Sequence, residues 1–187
     1  KDTETALAYN KKTEAAYNSI RVCPKPTVAM VFGFCMGGAM ALAMACDLRF
    51  AAGGSKFGIP AAKLSIIYGL DPVHQLVDLV GPAYAKDILY SARALDAPEA
   101  LRIGFIQRLL PASELEAYTY DYLRTVAENA PLSIRGTKAQ GQAIFEGVND
   151  GHRKKLFDMG IETFNSEDYA EGTRAFTEKR KPTFRGK

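Results

Sequence analysis

The sequence has no tryptophan, two histidines and three cysteines. Cys23, Cys35 and Cys46 form no CxxC pair or other metal-ligand spacing, and an odd number argues against a disulfide framework. No metal site is expected. Cys35 and Cys46 sit in apolar surroundings and read as small core residues. A reducing, cytoplasmic compartment is the expectation. Nor is there an excess of one charge sign. Lys and Arg number 24 against 21 Asp and Glu, and a formal charge of +3 is too small to argue for a nucleic-acid partner. No apolar run reaches membrane-spanning length, and the N-terminus has no signal-like pattern. Repeats, low-complexity segments and linkers are also missing. The 187 residues, 47% hydrophobic, suit one domain with a substantial core.

What is present alternates between helical and strand patterns. Leu7, Asn10, Thr13 or Glu14, Tyr17 and Ile20 fall about one turn apart, which predicts a helix over 4–21. "CPKP" stops it, because two prolines cannot continue the hydrogen-bond ladder. "TVAMVFGF" reads as one buried strand, and "GGAMALAMAC" as a helix of strong formers. "DLRFAA" and "SKFGIP" are short strands between turns, followed by a longer helix from about His74. Two capping boxes, Asp96/Glu99 and Ser113/Glu116, mark further helix starts. "IQRLL" lies between them as a strand. Helices over about 132–148, 151–164 and 167–177 close the chain. An α/β core over 1–130 and a helical C-terminal region over 131–187 are therefore expected.

One junction carries chemistry. In "GFCMGGAMALAMACD" a strand ends in glycines and turns into a helix, which delivers unpaired N–H groups to one point. Such a point suits a phosphate or a developing oxyanion, and tight backbone packing explains it equally well. The GxGxxG spacing, a phosphate loop ending in GK[ST] and a GxSxG elbow are all absent. The C-terminus adds Arg174, Lys179, Arg180, Lys181, Arg185 and Lys187 against Glu178 alone, which fits an acidic ligand or a solvated basic end.

The wider context resembles the crotonase superfamily, the enoyl-CoA hydratase/isomerase fold. The residues that carry the resemblance are the KP-strand-GxxxGG-helix-CD unit and the FGxP strand that follows. The turn at Tyr68-Gly69, the segment "LVGPAYAKDILYSARALDAPEALRIGFIQRLLP" and the ending "AFTEKRKPTF" continue it. The resemblance implies a spiral β-β-α crotonase-like core with a helical C-terminal trimerisation region, in a homotrimer or homohexamer. It implies an acyl-CoA thioester as substrate, with coenzyme A belonging to the substrate and no separate cofactor. Gly38 is then the second of two backbone oxyanion donors, and Phe176 and Lys179 match positions that meet the nucleotide end of CoA, often from a neighbouring subunit. The first donor lies in an upstream region of the family fold that precedes these residues.

The two glutamates that hydratases of this fold use for acid–base work match Ala41 and Ala61 here. Alanine moves no proton, so two-glutamate hydration is not expected. Isomerisation, decarboxylation or hydrolysis of a thioester or C–C bond with one acid–base group fits better. A CoA-thioester-binding homologue without turnover is the alternative. In "IIYGLDPVHQ", Asp71 is the acid–base candidate, with Tyr68 as proton donor and His74 behind them. Asp71 also suits a helix N-cap before Pro72. His152 reads as a surface or interface residue, and Lys63 as a solvent-facing lysine at a strand edge that could also point to the pocket.

Overall fold

A computed structural model describes residues 3–187, without the side chains of residues 3, 6 and 7, so Leu7 of the expected stripe lies outside the described side chains. Two compact units emerge, one of residues 3–23 and 27–119, the other of residues 24–26 and 120–187. The division falls inside a helix at Thr119/Tyr120, upstream of the boundary expected at 130/131.

The first unit opens with α1 (Thr3–Arg21), ended by the prolines as expected. The apolar run after it makes two strands, not one. Gly33 takes a φ of 73°, a left-handed turn open to glycine, and separates β1 (Val28–Val31) from β2 (Phe34–Met36). The two strands then enter different sheets. β1 pairs in parallel with β3 (Leu48–Ala52), and β3 with β6 (Arg108–Leu110). β2 pairs in parallel with β4 (Lys56–Gly58), which pairs antiparallel with a two-residue β5 (Leu95–Asp96). Between β2 and β3 runs α2 (Gly38–Ala45), whose Met40, Ala41, Ala43, Met44 and Ala45 are all buried. A helix that is apolar all round belongs inside, and α2 packs against α1 and α3. Phe57 and Phe105 meet edge to face at 5.4 Å in the same core, beside Met40, Ile59, Leu76, Ile88 and Leu95.

After β4 the chain makes a short 3-10 turn, Pro60–Leu64, and then enters α3 (Leu70–Ser91). This helix begins four residues before the expected start and is broken at Gly81 (φ 77°, ψ 162°), ahead of Pro82. The Asp96 cap forms: its Oδ1 accepts the Glu99 N–H at 2.8 Å, opening α4 (Ala97–Arg102). The reciprocal half of that box does not form. Glu99 instead accepts both terminal nitrogens of Arg93 at 2.8 Å, which fastens the end of α3 to α4. The second box is displaced: α5 (Ala112–Ala127) starts one residue before Ser113, and the Pro111 carbonyl accepts the Glu114 and Leu115 N–H groups.

The second unit holds α6 (Pro131–Glu146), α7 (Asp150–Phe164) and α8 (Glu167–Glu178). Asn149 and Ser166 cap α7 and α8 with their side chains. The last residues fold back along α8. Buried Asp168 accepts the Arg185 and Gly186 N–H groups at 2.7 Å each, and its own N–H donates to the Lys187 carbonyl at 3.2 Å. Arg180, Arg174 and the Thr183 N–H hold the Glu171 carboxyl well below the usual carboxylate range. That tie is present at neutral pH and is lost only as pH falls toward the lowered value. Asp168→Ala is expected to cost about 2 kcal/mol, because two charge-assisted bonds to backbone disappear. Amide exchange should accelerate selectively at Arg185 and Gly186; unchanged protection there would show that Asp168 does not tether the tail.

Candidate active site

The glycine pair is built by its neighbours. Gly37 has φ 54° and ψ −114°, a conformation denied to L residues, and it caps α2. Its N–H donates to the Gly58 carbonyl at 2.8 Å, which extends the β2–β4 ladder by one bond. The Gly37 carbonyl then turns down the helix and accepts from Met40 and Ala41 N–H at 3.0 and 3.1 Å. In consequence the Gly38 and Ala39 N–H groups form the first turn of α2, with no carbonyl one turn earlier to reach. The helix dipole adds positive potential at this end.

Two phenols close over the pair. The Tyr68 hydroxyl donates to the Gly37 carbonyl at 2.9 Å, and the Tyr17 hydroxyl to the Gly38 carbonyl at 3.4 Å. Burial pushes both phenols above their ordinary pKa, with the neighbouring Tyr17 adding to the shift at Tyr68. A Cβ placed on Gly38 would lie 3.3 Å from the Tyr17 oxygen, so the α1 face reaches the helix start directly. Tyr17 was not foreseen as a neighbour of this site, although it lies on the predicted stripe of α1.

The positions matched to hydratase glutamates are both interior. Ala41 is 2% exposed and Ala61 9%. Both belong to the packed first unit, and neither can carry a proton.

Asp71 is not the N-cap of α3. That position is Gly69, whose carbonyl accepts the Val73 N–H at 3.1 Å, and the helix already includes Leu70. The Asp71 carboxylate, 67% exposed, lies 3.6 Å from the Arg21 guanidinium of α1. The Tyr17–Arg21 side of α1 thus faces both the glycine pair and the start of α3. His74 pairs with Asp78 one turn along α3 at 3.6 Å, and Lys63 faces solvent, as the sequence suggested. His152 packs in the second unit, 3.3 Å from Glu146. Also in the second unit, Phe176 is 86% exposed near the end of α8, and Lys179 is the left-handed C-cap of that helix.

The fold also uses a residue that sequence reasoning passed over. Arg49 on β3 is buried, and its guanidinium is held by carbonyl and amide oxygens. Its guanidinium donates to the carbonyls of Phe105 (2.7 Å), Cys46 (2.9 Å) and Ala43 (3.3 Å), and to Gln107 Oε1 (3.3 Å). It therefore stoppers the C-terminal end of α2, where carbonyls are left over and the dipole favours a cation. Burial pushes its pKa down to about 10, so it stays charged at neutral pH. The signal was a lone cation inside the apolar run "DLRFAA".

Among the described residues, no group of three or more His, Cys, Asp and Glu is arranged to hold a metal, and no helix is long and apolar enough to cross a membrane.

Parallel strands in two sheets, a glycine-capped buried helix between them and three C-terminal helices define a crotonase-fold protein. Solved structures bear this out. A putative enoyl-CoA hydratase/isomerase family protein from Hyphomonas neptunium superposes with a TM-score of 0.94 at 32% identity, over all of this chain and 71% of that one. The family model for enoyl-CoA hydratase/isomerase matches residues 1–187, and the chain belongs to that family of acyl-CoA-processing enzymes. The methylmalonyl-CoA decarboxylase of Escherichia coli is 32% identical over 182 residues, covering 96% of this chain and 70% of the relative. The crotonyl-CoA hydratase of Syntrophomonas wolfei is 36% identical over 177 residues, covering 91% and 66%.

Proposed function

We propose that this protein forms a thioester enolate by decarboxylating a malonyl-type acyl-CoA, with the Gly38 N–H as one donor to the thioester oxygen. The observation that carries this reading is the buried alanine pair, Ala41 and Ala61. Hydration needs one group to take a proton from water and another to give one to carbon. Decarboxylation needs neither in its bond-breaking step. The bond from Cα to the carboxylate breaks, its electron pair enters the Cα–carbonyl bond, and the thioester oxygen takes the negative charge. Carbon dioxide leaves and a proton then adds to Cα. The site must above all stabilise an oxyanion, and the first turn of α2 has the form for it. One such donor contributes about 3–4 kcal/mol to the transition state. Likeness to a methylmalonyl-CoA decarboxylase supports this choice over isomerisation and thioester hydrolysis.

In this reading Phe176 and Lys179 serve the nucleotide end of a CoA bound to a neighbouring subunit, one by stacking and the other by charge on phosphate. Exposed Phe157, Ile161 and Phe164, spaced along α7, offer the apolar face for a homotrimer or homohexamer. The protein works in the cytoplasm, where its free cysteines stay reduced.

A panel of malonyl-, methylmalonyl-, enoyl- and β-keto-type CoA esters, with products followed by mass spectrometry, tests the reading. Loss of carbon dioxide from the malonyl-type esters is expected. Tight binding of every ester without any product would favour a CoA-thioester-binding homologue instead. Asp71 is the candidate for returning the proton to Cα, and Asp71→Asn is expected to lower kcat by about 10²-fold. An unchanged kcat would leave that proton to water.

A further inference from the structure

We propose that Tyr68 is the positioning residue of the oxyanion donor: by clamping the Gly37 carbonyl, its hydroxyl fixes the Gly37–Gly38 peptide plane and aims the Gly38 N–H. The inference rests on the reading of Gly38 as that donor. The Gly37 carbonyl and the Gly38 N–H belong to one peptide unit, which is planar and trans, so they point in opposite directions. Whatever holds the carbonyl therefore sets the direction of the N–H. That carbonyl accepts three donors: Tyr68 Oη at 2.9 Å, Met40 N at 3.0 Å and Ala41 N at 3.1 Å.

The two helical bonds alone leave the peptide free to tilt, because Gly37 is a glycine in a conformation with little steric definition. Tyr68 supplies a third point from outside α2, at the approach to α3. A carbonyl that accepts an additional hydrogen bond also polarises its peptide and strengthens the N–H as a donor. A phenol has a single proton, and here it is committed to the Gly37 oxygen. Tyr68 thus acts on the donor and does not deliver a proton to carbon. Tyr17 gives the contrast. Its longer bond goes to the Gly38 carbonyl, which belongs to the next peptide and does not orient the Gly38 N–H.

The test reads polarisation without turnover. A conjugated 2,4-dienoyl thioester of CoA, bound to the full chain, should shift its absorption to longer wavelength as its carbonyl oxygen meets the donors. Tyr68→Phe should bind the probe with a similar Kd but show a smaller red shift, and kcat for the malonyl-type ester should fall roughly fivefold with KM little changed. Tyr17→Phe should retain the wild-type shift. A full red shift and unchanged kcat in Tyr68→Phe would overturn the proposal. Should that variant not fold, 3-fluorotyrosine at position 68 keeps the ring and strengthens the donor. A larger red shift supports the assignment, and an unaltered one overturns it. A wild-type protein that binds the probe with no shift would instead overturn the oxyanion reading of Gly38.

Discussion

Gly37→Ala is expected to lower kcat/KM for a malonyl-type CoA ester by about 10²–10³-fold. The reason is conformational, because there is space for a methyl group: a Cβ at Gly37 would come no closer than 3.9 Å to the Pro60 ring. With φ at 54° and ψ at −114°, an L residue is strained by about 1–3 kcal/mol. The chain relieves that strain by rotating the peptide that follows, and this peptide carries the Gly38 N–H. Stability should fall by no more than the strain, while the oxyanion donor moves away from the thioester. Gly38→Ala should be milder, since Gly38 has no positive φ and its added carbon meets only the Tyr17 hydroxyl at 3.3 Å. Steady-state kinetics with a thermal melt of each variant separates the two effects. A Gly37→Ala enzyme with wild-type kcat/KM would show that the turn does not set the donor.

Arg49→Met is expected to be a severely damaging change to the fold, at about 3–5 kcal/mol. Methionine fills much of the space of the arginine stem but donates nothing. The carbonyls of Phe105 and Cys46 would lose their donor inside a packed core, whereas Gln107 Oε1 keeps the backbone N–H of residue 49 and the Ala43 carbonyl keeps the Cys46 N–H. Each buried acceptor left unmet costs of the order of 1–3 kcal/mol before relaxation. For a domain of this size the melting temperature should fall by roughly 6–20 °C. Arg49→Lys should recover only part of the loss, because one ammonium cannot reach acceptors spread over the end of α2 and the segment before β6. A methionine variant that melts with the wild type would contradict the assigned role.

The sequence made some elements legible because local chemistry decided them. α2 is a run of strong helix formers after a glycine pair, and α7 and α8 follow good side-chain caps; all three lie close to their expected bounds. The single strand expected over "TVAMVFGF" failed because Gly33 turns the chain between sheets, and composition does not reveal a φ. Ser113 looked like a cap, yet the free carbonyl of Pro111 took over the first N–H groups of α5. At the site, the glycine pair and the alanines at 41 and 61 could be read directly. The Tyr68–Gly37 bond joins side chain to backbone across 31 residues, and no periodicity encodes a contact of that kind. Asp71 stood out as a carboxylate near the turn, but its pairing with Arg21 depends on where the end of α1 meets the start of α3.

The most direct measurement follows carbon-13 from carboxyl-labelled methylmalonyl-CoA, with crotonyl-CoA as the parallel substrate. Expected are labelled carbon dioxide and one new proton at Cα, at a rate that Gly37→Ala lowers by about 10²–10³-fold, with crotonyl-CoA left unchanged. Rapid hydration of crotonyl-CoA with no release of label would contradict the assignment built on Ala41, Ala61 and Gly38.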